Sequence, residues 1–475
     1  MMKAKNFWLG IWAVFAIAAH AQESNPNAAA QDDQPAAAQT QGQALTLDDA
    51  IKTTLQNNPA LQGAALGAKS AQWGVKKAYL DYLPQVNFGF QYARIDGESF
   101  RSASAFTDIG RFLASQTLLD TIAANDVSPD LIRPSAFQSS YGPTISVVQP
   151  IYSGGILRSQ LNVAQATDVR SQASWEETRQ QVIFETQGNY LQALKAMELV
   201  ALAQETHRSA QEHLQTTRKM LEVGMRARNE VLRFEVALAN AENNLVIAEN
   251  NLALAKAGLN KVMGVDIERE VTLLPVDDFS WEAPRTLREQ TEIALRRHPG
   301  LQVMKSTVSM QHAAIGVARS GFMPKVNLAY NYSWQANDTW AFDSFKTWSL
   351  AITASIPVFN SFQNYAGLKK EQETLGQVKK LEDDFVRGLQ LQVKQASLNL
   401  AAAEKRMAIS EKAVEEANEN LRIVKNSYQV GLLSSLDVVD AEVASTQTKA
   451  GRIEARYDYF IAKAQLARAM GVLGR

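Results

Sequence analysis

Pro84-Gln85-Val86-Asn87-Phe88-Gly89-Phe90-Gln91-Tyr92 returns 240 residues later as Pro324-Lys325-Val326-Asn327-Leu328-Ala329-Tyr330-Asn331-Tyr332. In both stretches every second residue is apolar and the residues between are polar or small. A period of two means a strand with two unlike faces. A second strand precedes the next proline. Trp348, Leu350, Ile352, Ala354 and Ile356 alternate with Thr347, Ser349, Ala351, Thr353 and Ser355, and the first copy offers the shorter Thr144–Gln149. The pattern predicts four strands, at about 84–93, 141–150, 324–335 and 346–357. Roughly ten residues is the length of a tilted membrane-spanning β-strand. Aromatic residues lie at both ends. Tyr92, Tyr141, Tyr332, Trp334 and Trp348 stand toward the hairpin ends, and Tyr82, Tyr152, Phe322 and Phe359 just outside the prolines. Two aromatic girdles mark the two interfaces of a membrane barrel. A soluble sheet with one buried face would alternate too, but leaves the aromatics at both ends unexplained.

Working outward, the duplication covers most of the chain. At the same offset Thr46-Leu47 matches Thr286-Leu287, Pro59 matches Pro299 and Ala78 matches Ala318. The offset then becomes 207 and holds to the end: Pro150 with Pro357, Val223-Gly224 with Val430-Gly431, Glu235-Val236-Ala237 with Glu442-Val443-Ala444, Met263-Gly264 with Met470-Gly471. The fall from 240 to 207 means that the first copy carries 33 extra residues between Tyr92 and Tyr141. Their Ser, Ala, Asp and Gly content suits an external loop, and a loop that long is more often functional than inert. The repeats are 44–264 and 286–475, joined by a connector at 265–285.

The helical part follows each strand pair. Residues 153–221 contain no proline and are rich in Ala, Leu, Gln and Glu. As a helix this stretch is roughly 100 Å long at about 1.5 Å per residue, far more than a compact core needs. The helix expected at about 229–263 has two heptad seams, Val231-Leu238-Leu245-Leu252-Leu259 and Phe234-Ala241-Ala248-Ala255-Val262. Such seams are coiled-coil packing. The second repeat has helices at about 361–428 and 436–470, with the small seam Ala441-Thr448-Ala455-Ala462-Ala469. The interleaved charges read as a solvated face.

Composition removes other classes. The chain has 475 residues, no cysteine, 48 Lys+Arg against 49 Asp+Glu, and a net charge of −1. No disulfide scaffold or thiolate metal site is possible, and a nucleic-acid partner is not expected from so neutral a chain. The one long apolar run, Phe7–Ala19, has 13 residues and is too short to span a bilayer as a helix. Lys3 and Lys5 before it and Ala19-His20-Ala21 after it make residues 1–21 a secretory signal peptide. The mature chain would begin at Gln22, which cannot be lipidated, and residues 22–43 would form a disordered leader. His207 and His213 are six apart on a helix, too far round to share a metal, and His298 and His312 are isolated. No phosphate loop or nucleophile elbow is present. No enzyme, cofactor or metal is expected.

Open sheet edges cannot exist in lipid, and four strands cannot close around a channel. Three copies would supply an even, closable twelve. The fold expected is therefore mainly α with a β-barrel portion. A duplicated strand–strand–long-helix unit would form a trimeric 12-stranded outer-membrane barrel continued by a periplasmic α-helical coiled-coil barrel.

Tyr428-x-x-Gly431 followed by Asp437-Val438-Val439-Asp440-Ala441-Glu442 resembles the tip signature of TolC-type outer-membrane efflux proteins, and Val223-Gly224-Met225 with Glu230-Val231-Leu232 resembles its partner tip. The resemblance covers about residues 44–474. It implies a homotrimer in outer-membrane lipid with its tunnel in the periplasm. It implies docking on a periplasmic adaptor (membrane fusion) protein and an inner-membrane transporter, to export drugs or other small molecules. It also implies roles for residues. Val223, Gly224, Met225, Val430, Gly431 and Leu432 would meet the adaptor. Tyr428 and Glu230 would hold the tip closed. Asp437 and Asp440, three apart and so on one helix face, would form two carboxylate rings at the pore constriction, selecting cations. Helix-dipole capping is the simpler role for Asp437 and fits Asp440 less well; the ring role is favoured. Where the family has an arginine two residues after the glycine, this chain has Leu433, which puts one closing salt bridge in question; Arg226 or Arg228 could stand in for it. Outer-membrane duty in type I protein secretion is the alternative within the conduit class. A periplasmic coiled-coil structural or adaptor protein is the alternative outside it.

Overall fold

The computed structural model describes residues 44–94, 139–276, 284, 286–337 and 345–474. The signal peptide, the leader, the body of the 33-residue insertion and residues 277–283 of the connector lie outside them.

The elements run, in chain order, β1 (Ala44–Leu45), α1 (Leu47–Asn57), α2 (Pro59–Leu80), β2 (Gln85–Arg94), β3 (Ser139–Ser153), α3 (Ile156–Glu222) and α4 (Arg228–Met263). They continue with β4 (Thr272–Leu273), α5 (Leu287–Arg297), α6 (Pro299–Ser320), β5 (Lys325–Asn337), β6 (Phe345–Ser355), α7 (Gln363–Gln429) and α8 (Ser435–Ala469). The four short helices α1, α2, α5 and α6 are absent from the sequence-based expectation, although the caps that start them are in plain view. Thr46 and Thr286 each accept a hydrogen bond from the third residue of the helix they open. Asn58 and His298 cap α2 and α6, each followed by proline at the first helical position, where its missing N–H costs nothing. α1 also carries an apolar stripe at helical spacing, Leu47, Ala50, Ile51 and Leu55.

β1 and β4 form a two-stranded parallel ribbon, pairing Ala44 with Thr272 and Leu45 with Leu273, as a small compact unit of its own.

In the main unit the sheet order is β2-β3-β5-β6, antiparallel throughout. Its register aligns the faces across all four strands. Phe88, Ile145, Tyr332 and Trp348 lie in one row, and Val86, Val147, Tyr330 and Leu350 in another on the same side. Asn87, Ser146, Asn331 and Ser349 make a row on the other side. One sheet face is thus apolar, exposed along β2 and β6 and partly buried along β3 and β5, and the other is polar, as a barrel with lipid outside and water inside requires. β3 is longer than the sequence suggests, 15 residues running past Pro150 to Ser153. A register shift between Pro150 and Tyr152 absorbs the proline, the usual service of a bulge.

α3 and α7 have 67 residues each, about 100 Å at about 1.5 Å per residue. α4 packs along α3, and α8 along α7, while α2 and α6 brace α3. The duplicated helix ends explain two glycines. At Gly264 (φ +69°) a Cβ would meet the Asn57 carbonyl oxygen at 2.6 Å, and at Gly471 (φ +69°) it would meet the His298 Cα at 2.6 Å. Each copy thus seats its last helix end directly on the junction of its two short helices. Among the described residues no helix is long and apolar enough to cross a membrane.

Candidate functional site: the hairpin tips

The long helices join in two turns, α3 to α4 and α7 to α8, and the turns have one geometry. In the first, the Met225 N–H donates to the Met220 carbonyl (2.8 Å) and the Gly224 N–H to Leu221 (2.9 Å). In the second, Leu432 donates to Ser427 (2.9 Å) and Gly431 to Tyr428 (3.0 Å). This is the Schellman closure, which needs a left-handed residue at its centre; Gly224 has φ +76° and Gly431 φ +84°. The turns leave Val223, Met225, Val430 and Leu432 between 69% and 78% exposed. Four apolar side chains at two hairpin ends are thus left uncovered among the described residues.

Behind the turns the two hairpins are tied together. Tyr428 is buried against Leu214, Val231, Phe234 and Val438. Its ring meets Phe234 edge-on at 6.3 Å, and its hydroxyl lies 3.2 Å from Glu230 Oε2. Burial pushes the Tyr428 hydroxyl above its usual pKa, against the Thr217 hydrogen bond and the charge of Arg226. Arg226 completes the tie. Its guanidinium donates to the Tyr428 carbonyl oxygen at 2.7 Å, lies over the ring at 4.2 Å, and approaches Glu230 Oε2 at 3.7 Å. Position 226 is the first-copy counterpart of Leu433 at the offset of 207. The arginine missing from the second tip stands at the duplicate position of the first. Arg228, the other candidate, opens α4 and takes no part in this tie.

One turn further in, a second knot crosses three helices. Glu442 Oε1 of α8 receives Ser209 Oγ (2.8 Å) and His213 Nε2 (2.8 Å) from α3 and Lys425 Nζ (3.0 Å) from α7. Burial alone would raise the Glu442 carboxyl, but the His213, Ser209 and Lys425 hydrogen bonds and the His213 charge override it and hold it at about 2. The His213 ring stacks on Phe234 at 5.6 Å. Sequence reasoning set His213 aside and missed this knot. The duplication carried a signal, because the counterpart pair Arg218–Glu235, 2.6 Å apart, occupies the same positions in the first copy.

The acids at the second tip are separate from both ties. Asp437 is an N3 capping residue: the Ser434 N–H and Oγ reach its Oδ2 at 2.8 and 2.7 Å. Those two bonds hold its carboxyl below the usual value. Asp440 follows one turn on, and both are exposed. Among the described residues no cluster of His and acidic groups could hold a metal.

A family model described as outer membrane efflux protein matches residues 50–265 and 291–472. The chain belongs to that family. Among its curated relatives, the alkaline protease secretion protein AprF of Pseudomonas aeruginosa is 24% identical, over 90% of this chain and 85% of AprF. The outer membrane protein TolC of Vibrio cholerae is 23% identical, over 66% of this chain and 73% of TolC. Among solved structures, the CmeC outer membrane channel of Campylobacter jejuni superposes with a TM-score of 0.74 at 16% identity, covering 90% of this chain and 85% of CmeC. An outer membrane efflux protein has a place for both faces of the sheet and for the long helices. The barrel strands sit in the outer membrane and the helices form the periplasmic tunnel. This location removes the alternative of a soluble periplasmic structural or adaptor protein.

Proposed function

We propose that three copies of this chain join their sheets edge to edge into one 12-stranded barrel and form the passive exit duct of a tripartite efflux system. An inner-membrane transporter supplies the energy and chooses the cargo, drugs or other small molecules. A periplasmic adaptor protein docks at the tips through Val223, Gly224, Met225, Val430, Gly431 and Leu432, whose exposed apolar side chains favour such an occupant. Asp437 and Asp440, tripled by symmetry, form the two carboxylate rings at the constriction. The capping bonds of Asp437 lower its pKa and so keep it charged, which serves capping and ring together.

The observation that carries this reading is the Arg226–Tyr428–Glu230 tie between the two free hairpin ends. A duct open at rest needs no such bond, whereas a gated one does. Arg226 takes the role left vacant at Leu433. The test is single-channel conductance in planar bilayers. Arg226→Ala with Tyr428→Phe should raise conductance several-fold, and unchanged conductance would remove the gate from the tips. Asp437→Ala with Asp440→Ala should abolish cation selectivity and block by divalent cations; unaltered selectivity would end the ring assignment.

The AprF relative favours one second reading, since that protein is described as a secretion protein and the likeness spans 90% of this chain. Here the duct would serve type I protein secretion. Copurification with an ABC exporter rather than a drug pump would decide for it.

A further inference from the structure

The first hairpin meets the second along α3 and α8, and this seam carries two charged rungs one heptad apart. Arg456 Nη1 of α8 lies 3.3 Å from Glu198 Oε1 of α3, and Lys449 Nζ lies 2.9 Å from Glu205 Oε1. The Tyr457 hydroxyl also donates to Glu198, at 2.7 Å, and the Thr206 and Thr446 hydroxyls stand 3.4 Å apart beside the other rung. In these rungs α3 supplies the acids and α8 the bases.

At the offset of 207, α3 is the counterpart of α7 and α4 of α8. The duplicate of the α3–α8 seam is therefore α7 against α4, two helices that do not pack along one another within the chain. Its four rung positions are Lys405 for Glu198, Lys412 for Glu205, Glu242 for Lys449 and Glu249 for Arg456. Every charge is reversed and the complementarity is kept. All four side chains are exposed, and none makes an ion pair among the described residues. The apolar residues between the rungs agree. Leu202 and Ile453 are 8% and 7% exposed, whereas their counterparts Ile409 and Val246 are 69% and 60% exposed. The second seam has both of its halves, on helices that do not meet in one chain.

We propose that α7 of one protomer packs on α4 of the next in the register of α3 on α8, pairing Lys405 with Glu249 and Lys412 with Glu242 of the next protomer. Charge complementarity selects a second copy of this chain as the occupant of both helix faces. The reversal adds a selection between hairpins, because flanking charges on packed helices set partner and orientation. With one polarity in both copies, α3 would accept α4 of another chain as readily as α8. With the polarity reversed, α3 on α4 sets Glu198 and Glu205 against Glu249 and Glu242, and α7 on α8 sets lysines against Arg456 and Lys449. Like hairpins repel, so first and second hairpins must alternate around the tube. The proposal rests on the three-copy assembly and not on the gating of the tips.

The absence of cysteine makes the test direct. In the full chain, purified in detergent, Lys412→Cys with Glu242→Cys should be linked by a short bismaleimide into a covalent trimer on denaturing gels. In that background Lys405→Glu faces Glu249 of the next protomer and should lower linking several-fold. Adding Glu249→Lys should restore it. Salt at 1 M, where screening sets in within about 3 Å, should restore it as well. A trimer by light scattering that does not link overturns the ladder and leaves the three-copy assembly standing. So does linking that ignores Lys405→Glu, or a loss that Glu249→Lys fails to repair. A chain that is not trimeric by light scattering removes the assembly itself, and the ladder with it. The four positions are exposed, so the changes leave the packing inside the protomer intact.

Discussion

Glu442 couples the cohesion of the helices behind the tips to pH. Its folded pKa of about 2 lies below the usual 4.5, so folding favours the charged form. That stability is present above pH 4.5 and is lost as the pH falls toward 2. The difference amounts to about 3 kcal/mol at about 1.36 kcal/mol per pKa unit. Glu442→Gln should be less stable at neutral pH and should flatten the acid limb of the unfolding curve, followed by circular dichroism; an unchanged limb would mean that other carboxylates set it. The counterpart Arg218–Glu235 pair is roughly half exposed, and solvent leaves such pairs about 0–1 kcal/mol. Removing it should hardly move the midpoint. The glycines divide the same way. Gly431→Ala meets no atoms and bears only backbone strain, about 1–2 kcal/mol. Gly471→Ala adds a clash with the His298 backbone at 2.6 Å and should lower the melting temperature further. A larger loss at Gly431 would make the tip turn the tighter site.

The strands show what the elements owe to alternation. Their two faces were legible because a period of two needs no knowledge of partners: Trp348, Leu350 and Ile352 announce the apolar side wherever the strand is placed. A charge on that face has to enter lipid, at about 2–4 kcal/mol near the midplane, whereas the polar face already meets water. Ile352→Lys should therefore block assembly into a heat-modifiable outer-membrane form, and Thr353→Lys should not; equal tolerance would deny that the apolar face meets lipid. The ends of the elements were less legible. β3 runs through Pro150 because a bulge takes up the proline, and no local pattern announces a bulge. α1, α2, α5 and α6 did carry local signals, since Thr46, Asn58, Thr286 and His298 are ordinary caps and Leu47, Ala50, Ile51 and Leu55 lie at helical spacing. At the tips the sequence marked the glycines, Tyr428 and Glu230. It left Arg226 as one of two candidates, because choosing needs the fold to lay the first hairpin against the second. The Glu442 knot was hidden for the same reason: Ser209, His213 and Lys425 come from two other helices.

At the scale of the molecule, the sheet of one chain ends in two open edges, β2 and β6. The duplication says how they should meet. Within the chain β3 of the first copy pairs with β5 of the second, with Ser146 opposite Asn331 and Val147 opposite Tyr330. Moving the first partner forward by 207 residues and the second back by 240 turns these pairs into Thr353 opposite Gln91 and Ala354 opposite Phe90 of the next protomer. A slip of one residue would exchange the lipid and lumen faces of a whole strand, so alternation fixes the seam to this register or one displaced by an even number of residues, and the duplication selects this one. The chain has no cysteine of its own, so Gln91→Cys with Thr353→Cys can be cross-linked without background by a short bismaleimide. Three such links per closed ring should convert the chain into a covalent trimer on denaturing gels. Gln91→Cys with Ala351→Cys, displaced by two residues along the edge, should react less. Preferential linking of the displaced pair would mean that the interprotomer seam does not copy the seam inside the chain, and ladders beyond three would mean that the sheet does not close on twelve strands.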